Sequence, residues 1–230
     1  MDVHWVLALT GAWHVLLEGR PISDQRLDGQ SANGFGRLHV LNVLRLRTPH
    51  SRRLRRRRHN QGVDLYLVRH GIAYDPDPAQ WPDDKDRPLT PEGEKRFRQV
   101  ARGLRELVPS VSVVLSSPWA RAWRTAELLE KEAHWPAPVA SEALESGRSP
   151  AEVLQALQPF DGSAGVVLVG HEPNMHELAS YLLTADTGHA QLEFRKGGTA
   201  YLELGEGSPR PGAARLVWLL TPKALRLMGR

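Results

Sequence analysis

Three short stretches of the chain are apolar at nearly every position rather than at alternate ones: "VDLYLV" at 63–68, "VSVVLS" at 111–116 and "GVVLVG" at 165–170. Their length and β-branched content predict strands covered on both faces, the pattern of a parallel sheet. Between them the apolar positions take a helical spacing. Thr90 caps a first helix with Pro91 at its first position and Glu92 in its first turn, and Phe97, Val100, Ala101, Leu104 and Leu107 share a face as far as Val108. A second helix is predicted from Ser117-Pro118, with Ala122, Thr125, Ala126 and Leu129 inward. A third covers 150–157, and a fourth starts near Pro173 with Met175, Leu178, Ala179 and Leu182 inward. Two late strands, "TAYLEL" at 199–204 and "RLVWLL" at 215–220, flank a Gly/Pro turn region. Strand–helix alternation of this kind argues an α/β layered domain over residues 63–230.

Residues 1–62 do not continue the pattern. The apolar run from Val3 to Leu17 is broken by His4, Gly11 and His14, and is too short to span a membrane. Asp2 stands where an export signal needs positive charge, and no small-residue cleavage site follows, so neither export nor membrane attachment is expected. The stretch "SRRLRRRRHN" at 51–60 holds no aromatic residue to stack on bases, and reads as a solvated, disordered run. Residues 1–62 form a basic leader with 11 arginines and 4 acidic residues, a net of +7. The whole chain carries +4, so the remainder carries −3. The pI of about 9.7 therefore belongs to the leader, and no nucleic-acid partner is expected. Met1 is the only methionine before Met175 and the core-like pattern begins abruptly at Val63, which invites the expectation of a natural start at a valine codon there. The chain has no cysteine, which excludes disulfides, a thiol nucleophile and thiolate metal sites, and suits a cytoplasmic protein.

In a parallel sheet, polar residues at the carboxyl ends of the strands converge on one crevice. Here the first strand delivers Arg69-His70-Gly71, the second leads to Arg121 in the first turn of its helix, and the third ends at Gly170-His171. Two arginines and two histidines are thus expected at one edge, with helix N-termini supplying N–H donors. A core has no need of that grouping, whereas a phosphoryl group does. Guanidinium forks hold its oxygens, and a neutral imidazole can attack phosphorus. Gly71 is expected to let the backbone come close to those oxygens.

"LVRHG", "SSPWARAWRTA" and "VGHEP", in that order and at strand ends, resemble the histidine phosphatase superfamily with its phosphoglycerate-mutase-like fold. The "RHGIA … RPLTPEG" opening and the compact length look most like the SixA-type phosphohistidine phosphatases. The resemblance implies a three-layer α/β/α sandwich around a mostly parallel sheet. It also implies that His70 is the nucleophile that becomes phosphohistidine, that Arg69 and Arg121 bind the phosphoryl oxygens, and that His171 is the second histidine of the pocket. No cofactor and no metal are implied.

Larger members of that superfamily carry a carboxyl general acid on an inserted segment between the second and third motifs. Here the stretch is short, "VASEALESGRSPAEV", and Glu142 and Glu145 are its candidate acids. A phosphorylated imidazole tolerates a missing acid because its leaving nitrogen can take a proton from water, whereas an alkoxide cannot leave so easily. The histidines of "HEPNMH" are five residues apart, not the four a zinc helix needs, so His176 reads as an ordinary helix residue. The aspartate-rich "DPDPAQWPDDKD" at 75–86 lacks the glycine and final glutamate of a calcium loop, and reads as a solvated loop at the entrance. The expected partner is a phosphorylated protein carrying phosphohistidine, or a small phosphorylated metabolite. The expected activity is that of a phosphohistidine phosphatase. A small-molecule phosphomonoesterase of the same fold is the alternative, ahead of a mutase and of a non-catalytic phospho-binding module.

Overall fold

The computed structural model describes residues 62–230 apart from 161, 162 and 164, together with the backbone of two strands, β1 (His4–Leu7) and β2 (Trp13–Leu16). These two pair antiparallel within a unit of their own, residues 1–52. The arginine run at 51–60 lies outside the described residues.

In the larger unit, six strands form one sheet in the order β5-β4-β6-β3-β7-β8. β3 is Gly62–Arg69, β4 Val113–Ser116, β5 Val139–Ala140, β6 Val166–Gly170, β7 Thr199–Glu206 and β8 Arg215–Leu220. The ladders joining β5, β4, β6 and β3 are parallel, and β7 and β8 continue the sheet antiparallel. Helices α1 (Pro91–Leu107), α2 (Ala120–Ala133) and α5 (Pro222–Met228) cover one face, where Tyr66, Val68, Val114, Val167 and Val169 point. Helices α3 (Pro150–Leu157) and α4 (Asn174–Thr184) cover the other, over Leu65, Leu67, Leu115, Val166 and Leu168. Successive residues of β3 and β6 thus enter opposite cores, which is why these strands read as continuous apolar runs. The result is the three-layer α/β/α sandwich around a mostly parallel sheet.

Local chemistry sets the helix starts. The Thr90 hydroxyl accepts from the Gly93 amide at 2.9 Å, and Ser149 and Glu152 form a reciprocal capping box at the start of α3. Thr221-Pro222 repeats the Thr90-Pro91 signal and starts α5. The second helix begins three residues later than its sequence predicts. Ser117 is not its cap but lies in the turn before it, with its side chain directed to another partner. Among the described residues, no helix is long and apolar enough to cross a membrane.

Candidate active site

The ends of β3, β6 and β4 lie side by side. Arg69 pairs in register with Gly170, the His70 amide donates to the Gly170 carbonyl at 3.0 Å, and the Ser117 amide donates to the Val169 carbonyl at 3.0 Å. This common edge brings together the four side chains anticipated from sequence. His70, His171 and Arg121 are buried at 6%, 1% and 4% exposure, a degree that side chains of their polarity reach only with a purpose or a partner. The imidazole centroids of His70 and His171 are 5.3 Å apart.

The tautomer of His70 follows from one contact. Its Nδ1 lies 2.7 Å from the Gly71 carbonyl, which can only accept, so Nδ1 carries the proton and Nε2 keeps its lone pair. Burial, with His171, Arg121 and Arg69 nearby, holds the His70 pKa well below its ordinary value. The imidazole is therefore neutral at physiological pH. His171 is lowered to about 3, first by burial and then by Arg121. Its Nε2 is hydrogen-bonded to the Ser117 hydroxyl at 2.9 Å, while its Nδ1 is buried without a partner. Trp119 packs against the His171 ring at 4.9 Å between centroids, and the Arg121 guanidinium lies 4.8 Å from the Trp119 ring centre.

Gly71 differs from its expected use. Its N–H donates to the Thr125 hydroxyl at 3.0 Å, and its carbonyl is taken by His70, so neither group is free for a ligand. A side chain there would press on Leu89 and Phe97 rather than on the crevice. Thr125 donates in turn to the Arg121 carbonyl at 2.6 Å and so ties α2 to the Arg-His-Gly corner.

Two further residues of the crevice are Asp84, from the 75–86 loop expected to be solvated, and Arg87, just after it. Residues 74–80 and 82–86 are exposed, as anticipated, yet the half-exposed Asp84 accepts through its carboxylate from Arg121 Nη2 at 2.9 Å and from Arg87 Nε at 2.6 Å. Its backbone carbonyl also accepts from Arg121 Nη1 at 2.7 Å. Arg87 is buried at 8% and donates to the Tyr74 carbonyl at 2.6 Å. The candidate acids lie elsewhere: Glu142 is exposed and Glu145 faces Arg148 at 3.7 Å. Among the described residues, neither contacts His70 or His171 through a hydrogen bond, and no group of three or more His, Asp or Glu is placed to hold a metal ion. His176 is not an isolated helix residue, since its Nδ1 bonds Glu172 Oε2 at 2.9 Å.

A family model described as the histidine phosphatase superfamily (branch 1) matches residues 65–146, the span that carries Arg69, His70 and Arg121. An uncharacterised protein of Picosynechococcus sp. is 36% identical over 166 residues, covering 71% of this chain and 99% of the relative. The chain belongs to the histidine phosphatase superfamily. Among solved structures, the protein histidine phosphatase SixA complexed with tungstate matches with a TM-score of 0.62 at 25% identity, over 70% of this chain and 99% of that one. SixA from Nakamurella multipartitia matches with a TM-score of 0.58 at 25% identity, over 70% and 96%. A phosphoserine phosphatase mutant from Entamoeba histolytica shares the fold with a TM-score of 0.51 at 16% identity, over 70% and 98%.

Proposed function

We propose that this protein is a cytoplasmic phosphatase that works through phospho-His70, with phosphohistidine on a signalling or phosphotransfer protein as its substrate. The observation that carries the reading is the state of His70: neutral, its Nδ1 proton held by Gly71, its Nε2 lone pair unengaged beside Arg69, Arg121 and His171. Nε2 attacks phosphorus and the bond to the leaving nitrogen breaks. Water then attacks the phosphohistidine, freeing His70 and inorganic phosphate. Arg69 and Arg121 offset the charge on the three non-reacting oxygens, and the neutral His171 ring offers its unpartnered Nδ1 as a donor, all preorganised by the packing described above and so with little rearrangement during the reaction. Tungstate in the related SixA, a tetrahedral oxyanion, is consistent with such a pocket.

The test is brief incubation of the protein with a ³²P-labelled phosphohistidine protein and with a panel of labelled phosphate esters. The expected result is an acid-labile, alkali-stable phosphoenzyme that His70→Ala does not form, with fastest turnover on the phosphohistidine protein. Faster turnover of a small ester would favour the phosphomonoesterase reading. Turnover by His70→Ala near the wild-type rate would end the mechanism.

A further inference from the structure

Glu172 follows His171 at the end of β6, and its carboxyl is held unevenly. Oε2 takes the 2.9 Å bond from His176 one turn along, whereas Oε1 is buried and has no partner. Arg69 bears on this carboxyl from β3, yet no ion pair within 4 Å joins the two among the described residues. Arg69 instead donates Nη1 to the Phe194 carbonyl at 2.6 Å and leaves its own Nε buried and unpaired. A carboxylate kept only as the counter-charge of Arg69 would close that gap. The arrangement leaves an unengaged carboxyl oxygen on the residue that follows His171 and an unengaged guanidinium N–H on the residue that precedes His70.

The other side of the dyad opens to solvent. His176 is one-third exposed and lines an open cleft of about 530 Å³ with Gly188, Ala190, Gln191, Leu192 and Glu193. An imidazole between a buried carboxyl and a water-filled cleft fixes that carboxyl in place and lets it equilibrate with solvent protons in the free protein.

We infer that Glu172, backed by His176, is the acid–base group of this site. The inference rests on the phospho-His70 reading and extends it. In the first half-reaction, the bond from His70 Nε2 to phosphorus forms as the bond to the leaving atom breaks, and the Glu172 proton passes to that atom. In the second, water attacks phosphorus, its proton returns to Glu172, and the P–Nε2 bond breaks to release phosphate. Burial raises the Glu172 pKa, as does Glu177, while His176 and Arg69 oppose the rise. A bound phosphoryl group adds negative charge and favours the protonated form further. This role falls to neither Glu142, which is exposed, nor Glu145, which faces Arg148.

The experiment uses the full chain and a series of aryl phosphates with graded leaving-group pKa, so it requires phosphatase turnover but not a particular natural substrate. Wild type is expected to give a shallow plot of log kcat/KM against leaving-group pKa. Glu172→Gln, which preserves shape, is expected to steepen it. The loss should be about 10²–10⁴-fold with the poorest leaving groups and under about 10-fold with the best. His176→Ala removes a contact that lowers the Glu172 pKa, so it should shift the basic limb of the kcat profile to higher pH while the phosphoenzyme still forms. If Glu172→Gln does not fold, the wild-type profile decides: a basic limb present with poor leaving groups and absent with good ones supports the assignment, and its absence from both overturns it. An equal loss across the series would show that Glu172 only supports the structure. A slope changed by Glu145→Gln in place of Glu172→Gln would also overturn it. Absence of any acid-labile phosphoenzyme would instead remove the underlying reading, an outcome distinct from both.

Discussion

Asp84 holds Arg121 twice, through its carboxylate at 2.9 Å and through its backbone carbonyl at 2.7 Å. The same carboxylate binds Arg87, so one half-exposed acidic side chain offsets two buried cations. Removing it leaves both guanidinium groups without a carboxylate, in the crevice proposed to bind a phosphoryl group. Asp84→Ala should therefore lower the melting temperature, by an amount corresponding to about 1–3 kcal/mol, the usual cost of an unsatisfied buried polar group. Inorganic phosphate or tungstate should restore more stability to Asp84→Ala than it adds to wild type, because the added oxyanion replaces the lost carboxylate. Thermal unfolding with and without oxyanion checks this. Equal shifts in the two proteins would mean that Asp84 and a bound anion do not share the same arginines.

The pocket itself predicts a pattern of losses. Arg69→Ala, Arg121→Ala and His171→Ala should each reduce kcat by about 10²-fold or more, the scale for removing one preorganised donor from a transition-state pocket. Ser117→Ala should cost less. It frees His171 Nε2 without removing the ring, so its effect should grow with conditions that protonate the imidazole. Steady-state kinetics on one aryl phosphate suffice, and an Arg121→Ala variant with unchanged kcat would take that residue out of the site.

Much of this was legible in the chain because the sheet is covered on both faces. Strands such as Val166–Gly170, buried throughout, leave no ambiguity of face, and the polar residues that interrupt them mark the crevice. Thr90 and Ser149 announced their helices because a cap is a local interaction. What escaped detection depends on contacts between distant segments. Asp84 looked like one acidic residue among several in an exposed loop, and only the fold brings it to Arg121, 37 residues on. Ser117-Pro118 read as a helix start, yet the hydroxyl is directed to His171, 54 residues away, and the helix waits until Ala120. Strand β5 has two exposed residues and no pattern to read. Gly71 shows the converse error: its small size was assigned to the ligand, whereas its backbone groups serve Thr125 and His70.

The leader gives a third prediction. The sheet of the larger unit starts at Gly62, which pairs with Glu206, and the division into two compact units falls between Arg52 and Arg53. A chain beginning at residue 60 retains the whole of β3. It should keep the kcat and melting temperature of the full protein, while its pI falls with the loss of the arginine run. Differential scanning calorimetry and kinetics on the two proteins test this, and a melting temperature lowered by several degrees would show that the leader stabilises the domain.

The two buried histidines set how stability depends on pH. Folding lowers the pKa of each: His171 to about 3, and His70 well below its ordinary value, both chiefly through burial. Below about pH 6.5 the unfolded chain binds protons at these rings that the folded protein refuses. Unfolding then takes up protons, so stability is complete above that pH and falls as the pH drops. The loss from His171 continues until its folded pKa is reached, at up to about 1.4 kcal/mol per pH unit. Between pH 6.5 and 4.5 the ring thus contributes a decline of up to about 2.7 kcal/mol. Carboxylates also titrate there, but they are common to wild type and His171→Gln, and the difference between the two proteins isolates the histidine. Urea unfolding of both from pH 7.5 to 4.5 should show the variant losing less stability as the pH falls, so that any advantage of wild type at neutral pH narrows or reverses. A gap that stays constant across the range would mean that His171 takes up its proton in the folded state, and that the crevice is wetter than its 1% exposure implies.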